Sequence, residues 1–195
     1  MIPSIINLDI ELTNQCNADC YFCPRDQTPH QGTMSAETFA RSLERAIEFR
    51  DSAAVAAGRE MRISLCGLGE PLLNPRAVDC VRMVRDAGFR CAIASNGSVL
   101  TEKKAIALLD AGLQEIDLNV GEEGEEYEAI YGLPFQRTLD NVVRFAELAE
   151  GRCKVNIVLV DHREDEAHRA HMKQFWQDRG LSDLVVFPIT NRGGA

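Results

Sequence analysis

Polar and apolar residues alternate along six short stretches of this chain. Between those stretches, apolar residues recur every three or four positions. Alternation marks a strand with one buried face, and the longer period marks an amphipathic helix. The strand-like runs are INLDIEL (6–12), MRISLC (61–66), FRCAIAS (89–95), EIDLNV (115–120), KVNIVLV (154–160) and LVVFPI (184–189). The helical period predicts helices over 35–50, 75–87, 101–111, 136–150 and 164–179, as in Phe39, Leu43 and Ile47, or Val78, Val81 and Val84. Ser35, Asn74 before Pro75, and Thr101 stand where side chains cap free helix amides. Gly88, Gly112, Gly151 and Gly180 stand where helices stop in a left-handed turn.

Strand–helix alternation predicts parallel strands joined by right-handed crossovers. Strands buried on both faces would be almost wholly apolar, and these are not. In NLDIELT, Leu8, Ile10 and Leu12 oppose Asn7, Asp9, Glu11 and Thr13. In RISLC, Ile63 and Leu65 oppose Arg62, Ser64 and Cys66; in EIDLN, Ile116 and Leu118 oppose Asp117 and Asn119. Helices cover the apolar faces, and the polar faces need a wet space such as an unfilled barrel lumen. The expected fold is therefore α/β, a partial (β/α)6 TIM-like barrel, with residues 1–195 as a single domain. Asp9, Glu11, Arg62, Asp117, Lys154 and Asn156 are expected to line its lumen, while Leu8, Ile10, Leu118 and Ile157 pack against helices. The charge run GEEGEE (121–126) reads as a solvated loop.

Ligands of parallel α/β folds bind at the carboxyl ends of the strands. The first strand runs into CNADCYFC, in which Cys16, Cys20 and Cys23 follow a C-x3-C-x2-C spacing with Phe22 before the last. The second is followed by GLGEP (67–71) and the third by SNG (95–97). The chain holds seven cysteines, an odd number with three crowded together, and its N-terminal residues lack a secretion signal. That combination favours metal over disulfides and a cytoplasmic location. No run of about 18 apolar residues suits a membrane, and a net charge of −9 argues against nucleic acid. Thiolates suit zinc or an iron–sulfur cluster. A zinc module wants four closed ligands, and His30 or a distant cysteine could supply the fourth. A cubane cluster with three thiolates keeps one iron open to a substrate or cofactor.

The cysteine spacing with its aromatic residue resembles the radical S-adenosylmethionine (SAM) enzymes. The resemblance implies a [4Fe–4S] cluster on Cys16, Cys20 and Cys23, whose fourth iron is chelated by the amine and carboxylate of S-adenosyl-L-methionine. GLGEP resembles the family's glycine–glycine–glutamate motif, with Leu68 at its first glycine, Gly69 at the second, and Glu70 expected to accept from the cofactor's amine. SNG resembles the polar patch that follows strand three, where Ser95 or Asn96 would contact methionine or ribose. IDLNVGEEGEEYEAIYGLPFQRTLDNVVRF and WQDRGLSDLVVFPITNRGG resemble the core of members with a C-terminal auxiliary-cluster extension of the SPASM or twitch type. Asn119 stands where such members often carry serine. No such extension is expected within these 195 residues, which read either as a fragment or as a naturally minimal core.

The activity so implied is reductive cleavage of the cofactor to a 5′-deoxyadenosyl radical, which takes hydrogen from a polar substrate: a sugar, an amino acid or a peptide. A reductant such as flavodoxin or ferredoxin would supply the electron. The alternatives are a radical-type RNA methyltransferase, a zinc module without catalysis, and a fragment that binds a cluster but cleaves nothing. Among the remaining side chains, Cys66 falls on the lumen face, and Cys80, Cys91 and Cys153 read as structural. His162, His168 and His171 read as surface histidines, Trp176 as packing, and Arg192 as a rim residue able to grip an anion.

Overall fold

The computed structural model describes residues 5–52 and 59–188. Its centre is one sheet in the order β1-β2-β3-β4-β5-β6. The strands are β1 (Ile5–Ile10), β2 (Glu60–Leu65), β3 (Arg90–Ser95), β4 (Glu115–Asn119), β5 (Lys154–Asp161) and β6 (Leu184–Pro188). Every neighbouring pair is parallel. Helices α1 (Ala36–Asp51), α2 (Ala77–Asp86), α3 (Glu102–Asp110), α4 (Gly124–Tyr131), α5 (Phe135–Ala149) and α6 (Glu166–Gln177) fill the crossovers. This is the expected partial (β/α)6 barrel, with β1 and β6 as the free edges among the described residues. Val186 and Phe187 stand exposed on β6. Arg192 lies outside the described residues.

The caps follow the sequence. Ser35 accepts from the Thr38 amide and Thr101 from the Lys104 amide. Gly88, Gly112, Gly151 and Gly180 all have positive φ. Asn74 is the exception: the N-cap of α2 is Arg76, and Asn74 is buried, its side-chain oxygen accepting from the Arg76 amide at 2.9 Å and its side-chain amide donating to the Leu12 carbonyl at 3.0 Å.

Ile10, Ile63, Leu65, Ile93, Ile116, Leu118 and Ile157 join Phe39, Val81, Leu108, Val142 and Phe145 of the helices in one apolar core, with Leu8 packed against it. The opposite sheet face is polar. Arg62 donates to Asn7 at 2.8 Å and to Glu115 at 2.9 Å. Register places Ala92 of β3 beside Glu115, so a small side chain lets Arg62 reach from β2 to β4. Asn156 closes the network, donating to Glu115 at 3.0 Å and Asp117 at 2.7 Å. Four residues expected in the lumen therefore share one face: Asp9, Arg62, Asp117 and Asn156. Glu115 is buried on that face, and an unpaired carboxylate there would cost several kcal/mol. Glu11 stands one residue beyond the strand. β1 ends at Ile10, and the Glu11 carboxylate accepts from the Leu68 amide at 2.5 Å.

The run 121–126 is not a solvated loop. Gly121 and Glu122 are buried, and α4 begins at Gly124. A Cβ at Gly121 would lie 2.6 Å from the Leu159 Cα, so the chain passes hard against β5. Tyr127, Ile130 and Tyr131 anchor α4 at helical spacing.

Candidate active site: the three-cysteine loop

The loop after β1 leaves and returns at one point, an antiparallel bridge between Thr13 and Thr33. Asn14 fastens it there, donating to the His30 carbonyl at 2.7 Å and accepting from the Gly32 amide at 2.6 Å. His30 is exposed and forms no close ligand set with the cysteines. Inside the loop, Cys16, Cys20 and Cys23 are each half-buried. The Cys23 amide donates to the Cys20 carbonyl at 2.9 Å, turning the chain so that both thiols belong to one bend. Arg25 braces it from within, donating to the Ala18 carbonyl at 2.5 Å and the Cys16 carbonyl at 3.2 Å. Nothing in the sequence singled out Arg25 beyond its place two residues after the last cysteine. Phe22 stacks edge-on against Tyr131 of α4, ring centroids 5.9 Å apart, and the Asp19 amide donates to the Tyr131 carbonyl.

The motifs after β2 and β3 meet this loop. The Glu70 amide donates to the Gln15 carbonyl at 2.9 Å. A Cβ on Gly69 would come within 2.1 Å of the Thr13 carbonyl oxygen, so glycine is what lets the two backbones touch. Asn96 donates to Asn17 at 3.1 Å and reaches the Cys16 sulfur at 3.8 Å, and Asn17 donates to Ser98 at 2.8 Å. The Glu70 side chain points inward. It is 2% exposed, and its oxygens accept from the Ser95 hydroxyl (2.9 Å), the Asn96 amide (2.7 Å) and the Leu72 amide (3.0 Å). Burial pushes its carboxyl above the ordinary range, against the pull of those donors and of Lys104. Asn119 ends β4 beside Val158 and is half-buried.

The donor set fits an iron–sulfur cluster. Burial, reinforced by the neighbouring Cys16 and Cys23, pushes the Cys20 thiol up to about 12, so three thiolates need a positive centre to coexist. The three sulfurs do not all come within 4.8 Å of one another. A single zinc, at about 2.3 Å from each sulfur, would gather them to about 3.8 Å. A cubane, with a sulfur on each of three irons, spreads them wider.

Two histidines are not the surface residues expected. His162 and His168 are 13% and 10% exposed and both meet the buried Glu122. The sequence hid this because the contacts span 40 and 46 positions of chain and the partner sits in a charged run. His171 remains exposed against Glu123. Cys80 and Cys91 are buried and Trp176 is fully enclosed, as packing residues should be.

A family model described as Radical SAM superfamily matches residues 10–175. A tungsten-containing aldehyde ferredoxin oxidoreductase cofactor-modifying protein of Pyrococcus furiosus is 29% identical over 160 residues, covering 81% of this chain and 39% of that protein. An AdoMet-dependent heme synthase of Methanosarcina barkeri is 33% identical over 135 residues, covering 68% of this chain and 36% of its own length. The chain thus spans well under half the length of these two relatives. Among solved structures, Streptococcus suis SuiB bound to S-adenosylmethionine superposes with a TM-score of 0.72 at 15% identity, covering 96% of this chain and 41% of that one. At that identity the likeness concerns the fold.

Proposed function

The chain belongs to the radical SAM superfamily, and from that premise we propose that it is the catalytic core of an enzyme acting by hydrogen abstraction on a polar substrate. The family works with a [4Fe–4S] cluster and S-adenosylmethionine. Bound together, they would supply one-electron reductive cleavage of S-adenosylmethionine and, from it, the means to abstract hydrogen. Cys16, Cys20 and Cys23 would hold the cluster, leaving one iron open, and Arg25 would keep the loop's carbonyls folded inward around it. The observation that carries the reading is the convergence of the three-cysteine loop, Gly69 and the 95–98 turn at one end of the sheet.

Glu70 would serve the cofactor through the loop it grips. Its carboxylate fixes the Asn96 amide and the Ser95 hydroxyl, and those residues face the cysteine loop. Leu68 and Gly69 would offer backbone groups to the methionine end. Phe22, packed on Tyr131, would set the position of Cys23 and keep water from the cluster. Asn119, at the end of β4 on the face of Asp117, would reach the sugar or methionine. The substrate would lie on the concave face. Its hydrogen-bonded acids, amides and arginine support a sugar, amino acid or peptide over an apolar molecule. A flavodoxin- or ferredoxin-type reductant would supply the electron.

The test is anaerobic reconstitution with iron and sulfide, then dithionite and S-adenosylmethionine, with 5′-deoxyadenosine and methionine followed by mass spectrometry. Both should form, and neither should form with the Cys16→Ala, Cys20→Ala, Cys23→Ala triple variant. Loading of a full cluster with no cofactor cleavage would leave a binding module and overturn the enzymatic reading.

A further inference from the structure

A second cluster of ligating side chains lies at the ends of β4 and β5, outside the cysteine site. The Glu122 side chain is 1% exposed. Both imidazoles press on it: Nε2 of His162 is 2.9 Å from Oε1, and Nε2 of His168 is 3.0 Å from the same oxygen. The other oxygen, Oε2, is buried and lies equally near the His168 nitrogen, at 3.0 Å, so that one nitrogen serves both oxygens. Glu126, one helical turn on, brings its carboxylate to the same spot. Among the described residues, ligand atoms of Glu122, Glu126 and His162 all lie within 4.8 Å of one another. Arg163 reaches Glu126 from the outside and stands 4.0 Å from Glu122.

As a hydrogen-bond cluster this is poor. Oε2 has no donor of its own and shares the His168 nitrogen with Oε1, a weak arrangement for a buried acceptor. As a ligand set it is good. Nitrogen and oxygen donors about 2.0–2.1 Å from a tetrahedral ion stand about 3.3 Å apart; Glu122 and His162 stand 2.9 Å apart, and Glu126 lies within 4.8 Å of both. Gly121 against Leu159 fixes the backbone that aims Glu122, and α6 fixes His168. We propose that Glu122, Glu126 and His162 form a site for one divalent transition ion of the zinc type, with His168 hydrogen-bonded to Glu122 behind it. The imidazole of His162 favours such an ion over magnesium or calcium, which prefer oxygen alone. Arg163, exposed, holds the place of the positive charge and turns outward when the ion enters. The ion would tie the β4 and β5 loops together beside the cysteine loop, since the Tyr21 ring lies 6.1 Å from that of His162.

The test uses the full chain with its cluster reconstituted, equilibrated with zinc and desalted. Metal analysis should find one zinc per chain beyond the cluster, and zinc K-edge absorption should show a nitrogen and oxygen shell with imidazole scattering and no sulfur. Glu122→Gln and His162→Gln should each weaken zinc binding at least tenfold, with cluster sulfide unchanged. Arg163→Gln, at an exposed position, should strengthen it severalfold and serves if a buried variant fails to fold. No retained zinc, sulfur in the zinc shell, or unchanged affinity in His162→Gln/His168→Gln would each overturn the site, as would unchanged or weaker binding in Arg163→Gln.

Discussion

The Glu70 carboxylate accepts the Asn96 backbone amide at 2.7 Å, joining the turn after β2 to the turn after β3. Asn96 in turn touches Asn17 and Cys16. One buried carboxylate thus sets the distance between two loops and, through them, the seat of the cysteine loop.

Glu70→Gln keeps the shape but removes one of the two acceptor oxygens and turns an amide donor toward other donors. The chain should lose about 1–3 kcal/mol of stability, since a buried polar group is left unsatisfied. S-adenosylmethionine affinity should fall on the order of tenfold, while iron and sulfide content stays unchanged. Urea unfolding and calorimetric titration, both anaerobic, check this; parent-like values in both would remove Glu70 from any positioning role.

Gly69→Ala should be damaging where Gly32→Ala is not. The added methyl at 69 meets the backbone oxygens of Thr13 and Gln15 at 2.1 and 2.6 Å, and neither can step aside without moving the cysteine loop. At Gly32 nothing lies within 4 Å. Iron and sulfide counts after identical reconstitution should fall severalfold in the first variant alone.

Asp161 carries a pH signature. Burial alone would raise its carboxyl, but the Arg169 guanidinium and the Glu164 and Arg163 amides more than offset that and hold it below 3.8. A depressed carboxyl stabilises the fold fully above its unfolded value and loses that contribution as pH falls through the folded one. Asp161→Asn should therefore be less stable than the parent at pH 5 to 8, and the gap should close below about pH 3.8. Urea midpoints across that range check it; a gap independent of pH would mean the charge is irrelevant.

The sheet was legible because its strands alternate: Ile116 and Leu118 went to the core, Asp117 to the lumen. The cysteine loop was legible because three thiols at short spacing have few other uses. Contacts between distant segments were not. The inward turn of Glu70 depends on the Ser95 hydroxyl and the Asn96 amide, 25 and 26 residues away, and the burial of Glu122 depends on histidines just after β5 and on α6. A charge run reads as solvated unless its neighbours are known. One local signal for α4 was present all the same: Tyr127, Ile130 and Tyr131 fall at the three-to-four spacing of an anchored helix.

The most direct measurement is electron paramagnetic resonance of the dithionite-reduced, reconstituted chain, recorded before and after S-adenosylmethionine is added. If Cys16, Cys20 and Cys23 leave one iron open to that cofactor, the g values of the reduced cluster shift on its addition, and the triple alanine variant gives no cluster signal at all. A cluster spectrum unchanged at saturating S-adenosylmethionine, or a full signal in the triple variant, would contradict it.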